Sequence, residues 1–310
     1  MCSIIRKKER TMKKKRKGFL AFLLSAFMVV AMIPGMAFAD ATSLPDADAS
    51  GVIKLTENVT ISSGFPTSGT IDLNGYTLTY TGTESIDVTD GNTLIIKDGS
   101  VSGTDQGGTL VLESGITGTS AYICPEANST VSVSNIKITS TGSVFYPYGD
   151  TAAVNITNCT VYTTGVYCVA TNSKTLDNYG VEINIENSTL TAAASDGDDC
   201  AVMLNVAGSL NISNSTITGD RQAVVVRAGN ATITDSEIVV TGTGPDYGRT
   251  SGTWGSGNEV AQGALVVGDY QTTEKTGTSV NYNADAIVNV TNTAITSQSS
   301  SVADGCKRII

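Results

Sequence analysis

A short phrase of alternating apolar residues, interrupted by one Asn or Asp, recurs eight times along the 310-residue chain. Apolar residues at every second position predict a strand, and a repeat of roughly 20 to 30 residues predicts a solenoid built from such strands. The pivots of the eight phrases are Asn74, Asp98, Asn135, Asn158, Asn187, Asn214, Asp235 and Asn292.

The residue type at the pivot has a physical reason. A sharp bend between two strands needs a residue that tolerates the left-handed backbone conformation, and Asn and Asp do so at the lowest cost after Gly. Amides that stack at the same position of successive coils can also pair with one another. The sequence therefore predicts a bend at each pivot, with one strand on either side.

A second apolar segment precedes most of the phrases, so each coil is predicted to contain three strands. These segments read AYIC, VFYPY, VYCVA, CAVML, AVVV and ALVV. Val154, Ile183 and Leu210 occupy the same position of successive phrases. We expect such residues to stack about 4.8 Å apart, as aliphatic columns inside parallel sheets.

On these phrases the chain resembles the right-handed parallel β-helix family of pectate lyases, pectinases, tailspikes and bacterial surface adhesins. Its opening, GVIKLTENVTI followed by TIDLNGYTLTY, is most similar to the first coils of large surface proteins of Gram-positive bacteria. The resemblance implies an all-β, right-handed parallel β-helix of about eight to ten coils over residues 53–300. Residues 40–52 are expected to cap the first coil, and residues 301–310 to be an incomplete coil or an aberrant tail.

Residues 1–39 have the pattern of a secretory signal peptide. Nine of the 19 Lys and Arg residues lie between Arg6 and Lys17, an apolar run follows, and Ala37-Phe38-Ala39 fits a cleavage site. We therefore expect cleavage after Ala39 and a secreted or surface location on a bacterium. Met12 is an alternative start to Met1, because the segment after it already forms a complete signal.

The charge left after removal of the signal excludes some partners. Residues 40–310 keep ten basic and 28 acidic residues, which is a net charge of −18. Such a surface repels nucleic acid and anionic membranes, so contact with a membrane is expected only through the signal. It also disfavours polyanionic substrates such as pectate unless calcium bridges them.

The residues available for catalysis are restricted. The chain has no histidine, which excludes a Ser-His or Cys-His nucleophile and a histidine metal site. A pectate-lyase-like mechanism needs an Arg or Lys base, and Arg221 and Arg227 flank AVVV within one coil, but an outward position on a sheet edge is the commoner role. The five cysteines after the signal fit buried free thiols better than a disulfide framework, with a Cys168–Cys200 bridge as the alternative.

Two long insertions carry the candidate ligand-binding residues. Aromatic faces beside charged groups suit sugar rings, since the C–H faces stack and the hydroxyls hydrogen-bond. The alternative is that these aromatic residues only cover their own loops. The candidates are Asp246, Tyr247, Arg249, Trp254, Tyr270 and Tyr282.

One acidic cluster offers a candidate metal site. The carboxylates of Asp196, Asp198 and Asp199 are hard oxygen ligands that suit calcium, although the stretch is too short to wrap an ion. A solvated turn between coils is the alternative, and no other cofactor is expected.

The leading functional hypothesis is therefore an exported, non-catalytic surface or adhesin-like protein that presents loops to carbohydrate or protein ligands. One alternative is a polysaccharide lyase or glycoside hydrolase of the parallel β-helix class. The other is a structural stalk segment of a larger surface protein.

Overall fold

The computed structural model describes residues 40–113, 116, 121–171, 180–194, 199–242, 263–267 and 285–297. The chain divides into two compact units, residues 1–40 and 41–310. Within the described ranges of the second unit there are 25 strands and no helix. In chain order the strands are β1 (Val52–Lys54), β2 (Val59–Ile61), β3 (Gly69–Asp72), β4 (Thr77–Tyr80), β5 (Ile86–Val88), β6 (Thr93–Lys97), β7 (Thr109–Leu112), β8 (Ala121–Pro125), β9 (Thr130–Ser134), β10 (Lys137–Ser140), β11 (Ser143–Phe145), β12 (Ala153–Thr157), β13 (Thr160–Thr163), β14 (Val169–Ala170), β15 (Val181–Glu186), β16 (Thr189–Ala192), β17 (Cys200–Leu204), β18 (Gly208–Ser213), β19 (Thr216–Gly219), β20 (Gln222–Val226), β21 (Gly229–Thr234), β22 (Glu237–Val240), β23 (Gly263–Val267), β24 (Ala286–Thr291) and β25 (Ala294–Ser297).

The strands form three parallel sheets, and one strand of each sheet in turn makes a coil. The first sheet has the order β1-β3-β6-β9-β12-β15-β18-β21-β24, and the second has the order β2-β4-β7-β10-β13-β16-β19-β22-β25. The third has the order β23-β20-β17-β14-β11-β8-β5. Since each partner in a sheet comes from the next turn of the chain, the described residues form a parallel β solenoid of nine coils, seven of which have a strand in the third sheet.

Aliphatic columns fill the interior, as the repeat predicts. Val131 pairs with Val154, Val154 with Ile183, and Ile183 with Leu210, and all four side chains are fully buried. Burying an aliphatic side chain of this size contributes about 1.5 to 3 kcal/mol relative to leaving it exposed. Successive coils therefore stabilise one another through identical contacts, as in other solenoids.

The outward positions of the first sheet carry an amide ladder. The side-chain amide of Asn155 donates to Ser132 Oγ at 3.1 Å, Asn184 donates to Asn155 Oδ1 at 2.8 Å, and Asn211 donates to Asn184 Oδ1 at 2.9 Å. The outer face of this sheet is thus polar, while its inner face is aliphatic.

The bends between the first and second sheets lie at the pivots. Seven of the eight pivots have φ between 48° and 60°, which is the left-handed region. Asn158 Nδ2 donates to Asn135 Oδ1 at 2.9 Å, and Asn292 Nδ2 donates to Asp235 Oδ1. Pivot side chains thus pair from coil to coil at two of these corners, once amide to amide and once amide to carboxylate.

Asp98 makes its corner differently from the other seven pivots. It is buried and lies outside the left-handed region, and its carboxylate accepts the backbone N–H of Gly75 at 2.6 Å and of Ser100 at 2.8 Å. Burial raises the pKa of this carboxyl, but hydrogen bonds from Ser100, Gly75 and Gly108 outweigh burial and leave the pKa below its usual value. At this corner the carboxylate of Asp98, which accepts backbone N–H groups, takes the place of an amide pair such as that of Asn158 and Asn135.

A hydroxyl follows the bend in the later coils and links each coil to the next. The backbone N–H of Cys159 donates to Ser188 Oγ at 3.0 Å, that of Ser188 to Ser215 Oγ at 3.0 Å, and that of Ser215 to Ser236 Oγ at 3.1 Å. Each of these hydroxyls donates in turn to the carbonyl two residues earlier in its own coil. The buried corner therefore leaves none of these N–H groups without an acceptor.

A second left-handed corner joins the third sheet to the first. Asp90, Asn128 and Thr151 have φ of 59°, 59° and 54°. Asn128 N–H donates to the carbonyl of Asp150 at 2.8 Å, and Thr151 Oγ1 donates to Asn128 Oδ1 at 2.9 Å. Three coils therefore turn at the same place by the same means.

At the start of the solenoid, backbone groups before β1 pair with β2. Ala41 forms a parallel bridge with Val59, its N–H donates to Asn58, and its carbonyl accepts from Thr60. Leu44 packs against the aliphatic interior. These contacts cover part of the first strand edge, which would otherwise expose unpaired backbone groups.

Candidate functional site

The third sheet differs from the other two because part of it is buried on both faces. Every residue of β17 and of β20 is buried, whereas most strands of the first and second sheets alternate. Val202 and Val224 belong to the interior cluster, while Met203 and Val225 belong to a separate one. Because neighbouring residues of a strand point to opposite faces, the separate cluster lies on the outer face of the sheet.

We call this separate group the outer cluster. It consists of the buried residues Tyr167, Ala170, Cys200, Met203 and Val225, with Tyr146, Val166 and Val266 packed against it. The segments 172–179, 195–198, 243–262 and 268–284 connect to the ends of third-sheet strands and lie outside the described residues. The outer face of the third sheet is therefore apolar where the other two sheets are polar.

The cysteines follow this division between faces. Cys168 lies in the interior cluster and Cys200 in the outer cluster, so the two thiols are on opposite sides of the sheet. The four described cysteines, which also include Cys124 and Cys159, are all free. The alternative of a Cys168–Cys200 disulfide is thus wrong, since a bridge needs side chains that point toward each other.

A buried carboxylate joins two coils at the entry to the third sheet. Asp199 Oδ1 accepts the backbone N–H of Asp220 and of Arg221, both at 2.8 Å, and Oδ2 accepts that of Ala194 at 3.2 Å. The residue is fully buried, and burial raises its pKa to about 7 despite these three hydrogen bonds. Asp199 thus holds the corners of β17 and β20 together.

The two arginines that flank AVVV are buried, not exposed at a sheet edge. Only 1% of the surface of Arg221 and 3% of that of Arg227 is exposed. Arg227 Nη1 donates to Asn205 Oδ1 at 2.9 Å, which links the exits of β20 and β17. The expectation of an outward edge position fails because this part of the sheet is covered on its outer face.

Lower in the same sheet the outer face is open and carries two tyrosines. Tyr146 and Tyr148 stack with ring centroids 6.3 Å apart and planes 16° apart, and Tyr148 is 48% exposed. Tyr146 packs against the outer cluster, so it fixes the inner side of the pair. The pair therefore presents one exposed aromatic ring on a rigid support.

Two carboxylates from the two preceding coils lie on the same sheet as these tyrosines, one next to Tyr148 and the other one strand further away. Tyr148 N–H donates to the carbonyl of Pro125 at 2.8 Å, which brings Glu126 alongside Tyr148. Tyr146 N–H donates to Ile123, and Asp87 pairs with Cys124 one strand further down. We call Tyr146, Tyr148, Asp87 and Glu126 the aromatic shelf.

The thiol of Cys124 reports the charge of this shelf. Burial, followed by the negative charges of Asp87 and Glu126, raises the pKa of Cys124 to about 12. Both carboxylates therefore lie close enough to Cys124 to affect the pKa of its thiol. The thiol stays protonated at neutral pH and is a poor nucleophile, because thiolate is the reactive form.

A shallow groove of about 820 Å³ lies elsewhere, along the bends of the last three coils. Its walls include the corner hydroxyls of Ser215, Ser236 and Thr293, which already serve the backbone. The groove has no aromatic residue among its lining residues. The aromatic shelf is therefore the stronger candidate for ligand binding.

The residues predicted from the sequence to bind ligand lie outside the described residues: Asp246, Tyr247, Arg249, Trp254, Tyr270 and Tyr282. The same holds for Asp196 and Asp198 of the predicted calcium cluster. Asp199 is described, and its oxygens face three backbone N–H groups, an environment that does not favour calcium. Within the described ranges no group of three or more His, Cys, Asp or Glu residues is placed to hold a metal ion.

Comparisons with known proteins give no family for the chain. No protein-family model, no curated protein and no solved structure matches it. A search of the described residues for a helix long and apolar enough to span a membrane finds none.

Proposed function

We propose that the chain is an exported, non-catalytic β solenoid at the surface of a bacterium, which presents a binding face to carbohydrate or protein ligands. The observation that supports this most directly is the aromatic shelf, an exposed tyrosine on a rigid support beside two carboxylates. Rigid aromatic side chains offer a large contact area and lose little conformational entropy on binding.

The solenoid supports the shelf in two ways. Its strands come from three successive coils whose interior columns are fully buried, so the backbone under the tyrosines is held on its inner side. The acidic surface keeps the protein soluble and disfavours non-specific contact with nucleic acid or anionic membranes. A binding face on a stiff, acidic scaffold is what display at a cell surface requires.

An array of immobilised polysaccharides and extracellular proteins tests this proposal. Labelled wild-type protein should bind at least one class of target, and Tyr148→Ala should lose most of that signal. Tyr162→Ala is the matched control, because Tyr162 lies on the outer face of the second sheet, in register with Thr139 and Thr191. Equal signals from wild type and Tyr148→Ala would remove the shelf from the proposal.

The enzyme alternative is tested separately. Wild-type protein is incubated with polysaccharides, with and without calcium, and release of reducing or unsaturated sugars is measured. We expect none above that of heat-inactivated protein. Turnover that disappears in Asp199→Asn would establish the polysaccharide lyase or hydrolase instead.

A further inference from the structure

The aromatic shelf contains the chemistry of a sugar site. The exposed face of Tyr148 can stack on the C–H face of a pyranose ring, and the carboxylates of Glu126 and Asp87 can accept hydrogen bonds from sugar hydroxyls. Neither carboxylate has a described ion-pair partner. Glu126 follows the adjacent strand and lies next to Tyr148, whereas Asp87 lies one strand further away, beyond Cys124. At two strand spacings, roughly 10 Å, Asp87 is within reach of a neighbouring sugar unit of the same chain.

The charges of the shelf restrict which sugars can bind. Its described neighbourhood, residues 84–90, 121–128 and 143–151, contains three further acidic residues and no Lys or Arg. An anionic sugar placed on Tyr148 would meet Glu126 and Asp87 without a compensating cation. Like charges repel more strongly near a protein surface than in bulk water, so such a sugar should bind more weakly than a neutral one.

Calcium does not relieve this repulsion within the described residues. A calcium-bridged uronate needs several oxygen ligands that converge on one point, and the shelf supplies one carboxylate from each of two strands. No described group of three acidic, cysteine or histidine residues meets this need. The shelf therefore favours ligands without negative charge.

We propose that the aromatic shelf binds uncharged pyranose units of a neutral polysaccharide, and that it discriminates against uronic-acid and sulfated chains. This inference rests on the proposed binding function and specifies the ligand of the same site. Tyr148 is the stacking residue, Tyr146 the residue that positions it, and Glu126 and Asp87 are the hydroxyl acceptors.

Isothermal titration calorimetry with defined oligosaccharides tests the inference. The neutral arm uses gluco-, manno- and xylo-oligosaccharides, and the charged arm uses oligogalacturonides, both in the presence of EDTA. At least one neutral series should bind to wild-type protein, with an affinity that changes little between low and high salt. Tyr148→Ala should weaken that binding about tenfold or more, as expected for an aromatic anchor, and Tyr162→Ala should leave it unchanged.

Glu126→Gln separates the charge from the shape of the site. It keeps an acceptor oxygen, so neutral binding should fall by no more than about fivefold, which is within the loss expected for one hydrogen bond to a charged group. Binding of oligogalacturonides should rise relative to neutral sugars, because one repulsive charge is gone. Stronger binding of oligogalacturonides than of neutral sugars by the wild type would overturn the inference.

The failure of this inference is distinct from that of the proposed function. If no neutral oligosaccharide binds, but a protein target on the array needs Tyr148, the ligand class is wrong and the binding function stands. If no array target and no sugar depends on Tyr148, both proposals fail. Circular dichroism of each variant shows whether the fold is intact, and Tyr148→Phe, which keeps the ring, should retain most of the sugar affinity.

Discussion

The first and third sheets are built from the same coils, but the outer face of the first sheet is polar and exposed, whereas that of the third sheet is apolar and buried over part of its length. In β18 of the first sheet, Leu210 and Ile212 are buried while Asn211 between them is exposed. In β17 of the third sheet, Val202, Met203 and Leu204 are all buried. One repeat thus produces a polar outer face and an apolar outer face, and only the apolar one opens, further down, into the aromatic shelf.

This comparison shows where the solenoid has freedom to carry function. The amides and hydroxyls on the first sheet and its corners are occupied by bonds between coils. On the third sheet the residues Ala170, Met203, Val225 and Val266 are apolar, and they pack together on the outer face. Groups that are not needed for stacking the coils are the ones available to a ligand.

Substitution by aspartate should reveal the contrast most strongly. Met203→Asp puts a charge into the outer cluster and should lower the free energy of unfolding by roughly 5 kcal/mol or more, since it loses apolar packing and buries an unpaired charge. Asn211→Asp, at an outward position of the first sheet, should cost less than about 1 kcal/mol. Urea unfolding followed by circular dichroism measures both.

Met203→Ala keeps the test decisive if the charged variant does not fold. It should cost about 2 to 5 kcal/mol, as expected for truncation of a buried methionine. A cost below 1 kcal/mol would mean that the outer face of β17 is not packed in solution, and the contrast between the two sheets would disappear.

Asp199, at the entry to the third sheet, should give the free energy of unfolding a pH dependence opposite in sign to that from Asp98 at a corner of the first sheet. The pKa of Asp199 is raised from 3.8 to about 7, so between these values the unfolded chain loses the proton first and stability falls as pH rises. At 1.36 kcal/mol per pKa unit, the fall is at most about 4 kcal/mol. Asp199→Asn should flatten the profile of unfolding free energy between pH 4 and pH 7.

The exposed Asp90 supplies the control for the Asp-to-Asn change itself. It has the left-handed conformation that Asn also adopts readily, so Asp90→Asn should change the free energy of unfolding at pH 7 by no more than about 0.5 kcal/mol. An unchanged profile in Asp199→Asn would show that the carboxyl of Asp199 titrates alike in the folded and unfolded chain.

Of the substitutions at Met203, Asp199 and Ser215, removal of the corner hydroxyl of Ser215 should lower the free energy of unfolding least. Ser215→Ala removes the acceptor of the Ser188 N–H and leaves that buried donor unpaired, at a cost of about 1 to 3 kcal/mol. Ser215→Thr should cost less, because Thr293 already occupies the equivalent position and accepts from Ser236 N–H at 3.3 Å. Equal losses in both variants would show that side-chain volume at the corner matters more than the hydroxyl.

The coil can be predicted from the sequence because both patterns that indicate it involve residues that are close together in the chain. Alternation marks the strands of the first and second sheets, and the Asn pivots mark the bends, so the stacking of Val154, Ile183 and Leu210 follows from their spacing. The all-β parallel solenoid is confirmed on these grounds. The hydroxyl after the pivot was also visible, as the Ser188, Ser215 and Ser236 positions, but its role depends on a neighbour about one coil away.

The aromatic shelf could not be predicted in the same way. Tyr146 and Tyr148 lie in VFYPY, which reads as one more apolar segment, and Glu126 is 22 residues before Tyr148 in the sequence. Only the register between β8 and β11 brings them together. The burial of Arg221 and Arg227 is hidden for a related reason, since the pattern of a strand indicates its inner face but not what covers its outer one.

The corner serines have a consequence for the length of such a protein. Each accepts the same bond from the coil before it and makes the same bond within its own, so any two of these corners are chemically interchangeable joints. A turn added or deleted between two such joints leaves every remaining partner matched. Nothing in the chemistry of these described corners sets a number of turns, so duplication or deletion of one whole turn should leave the remaining corner bonds intact.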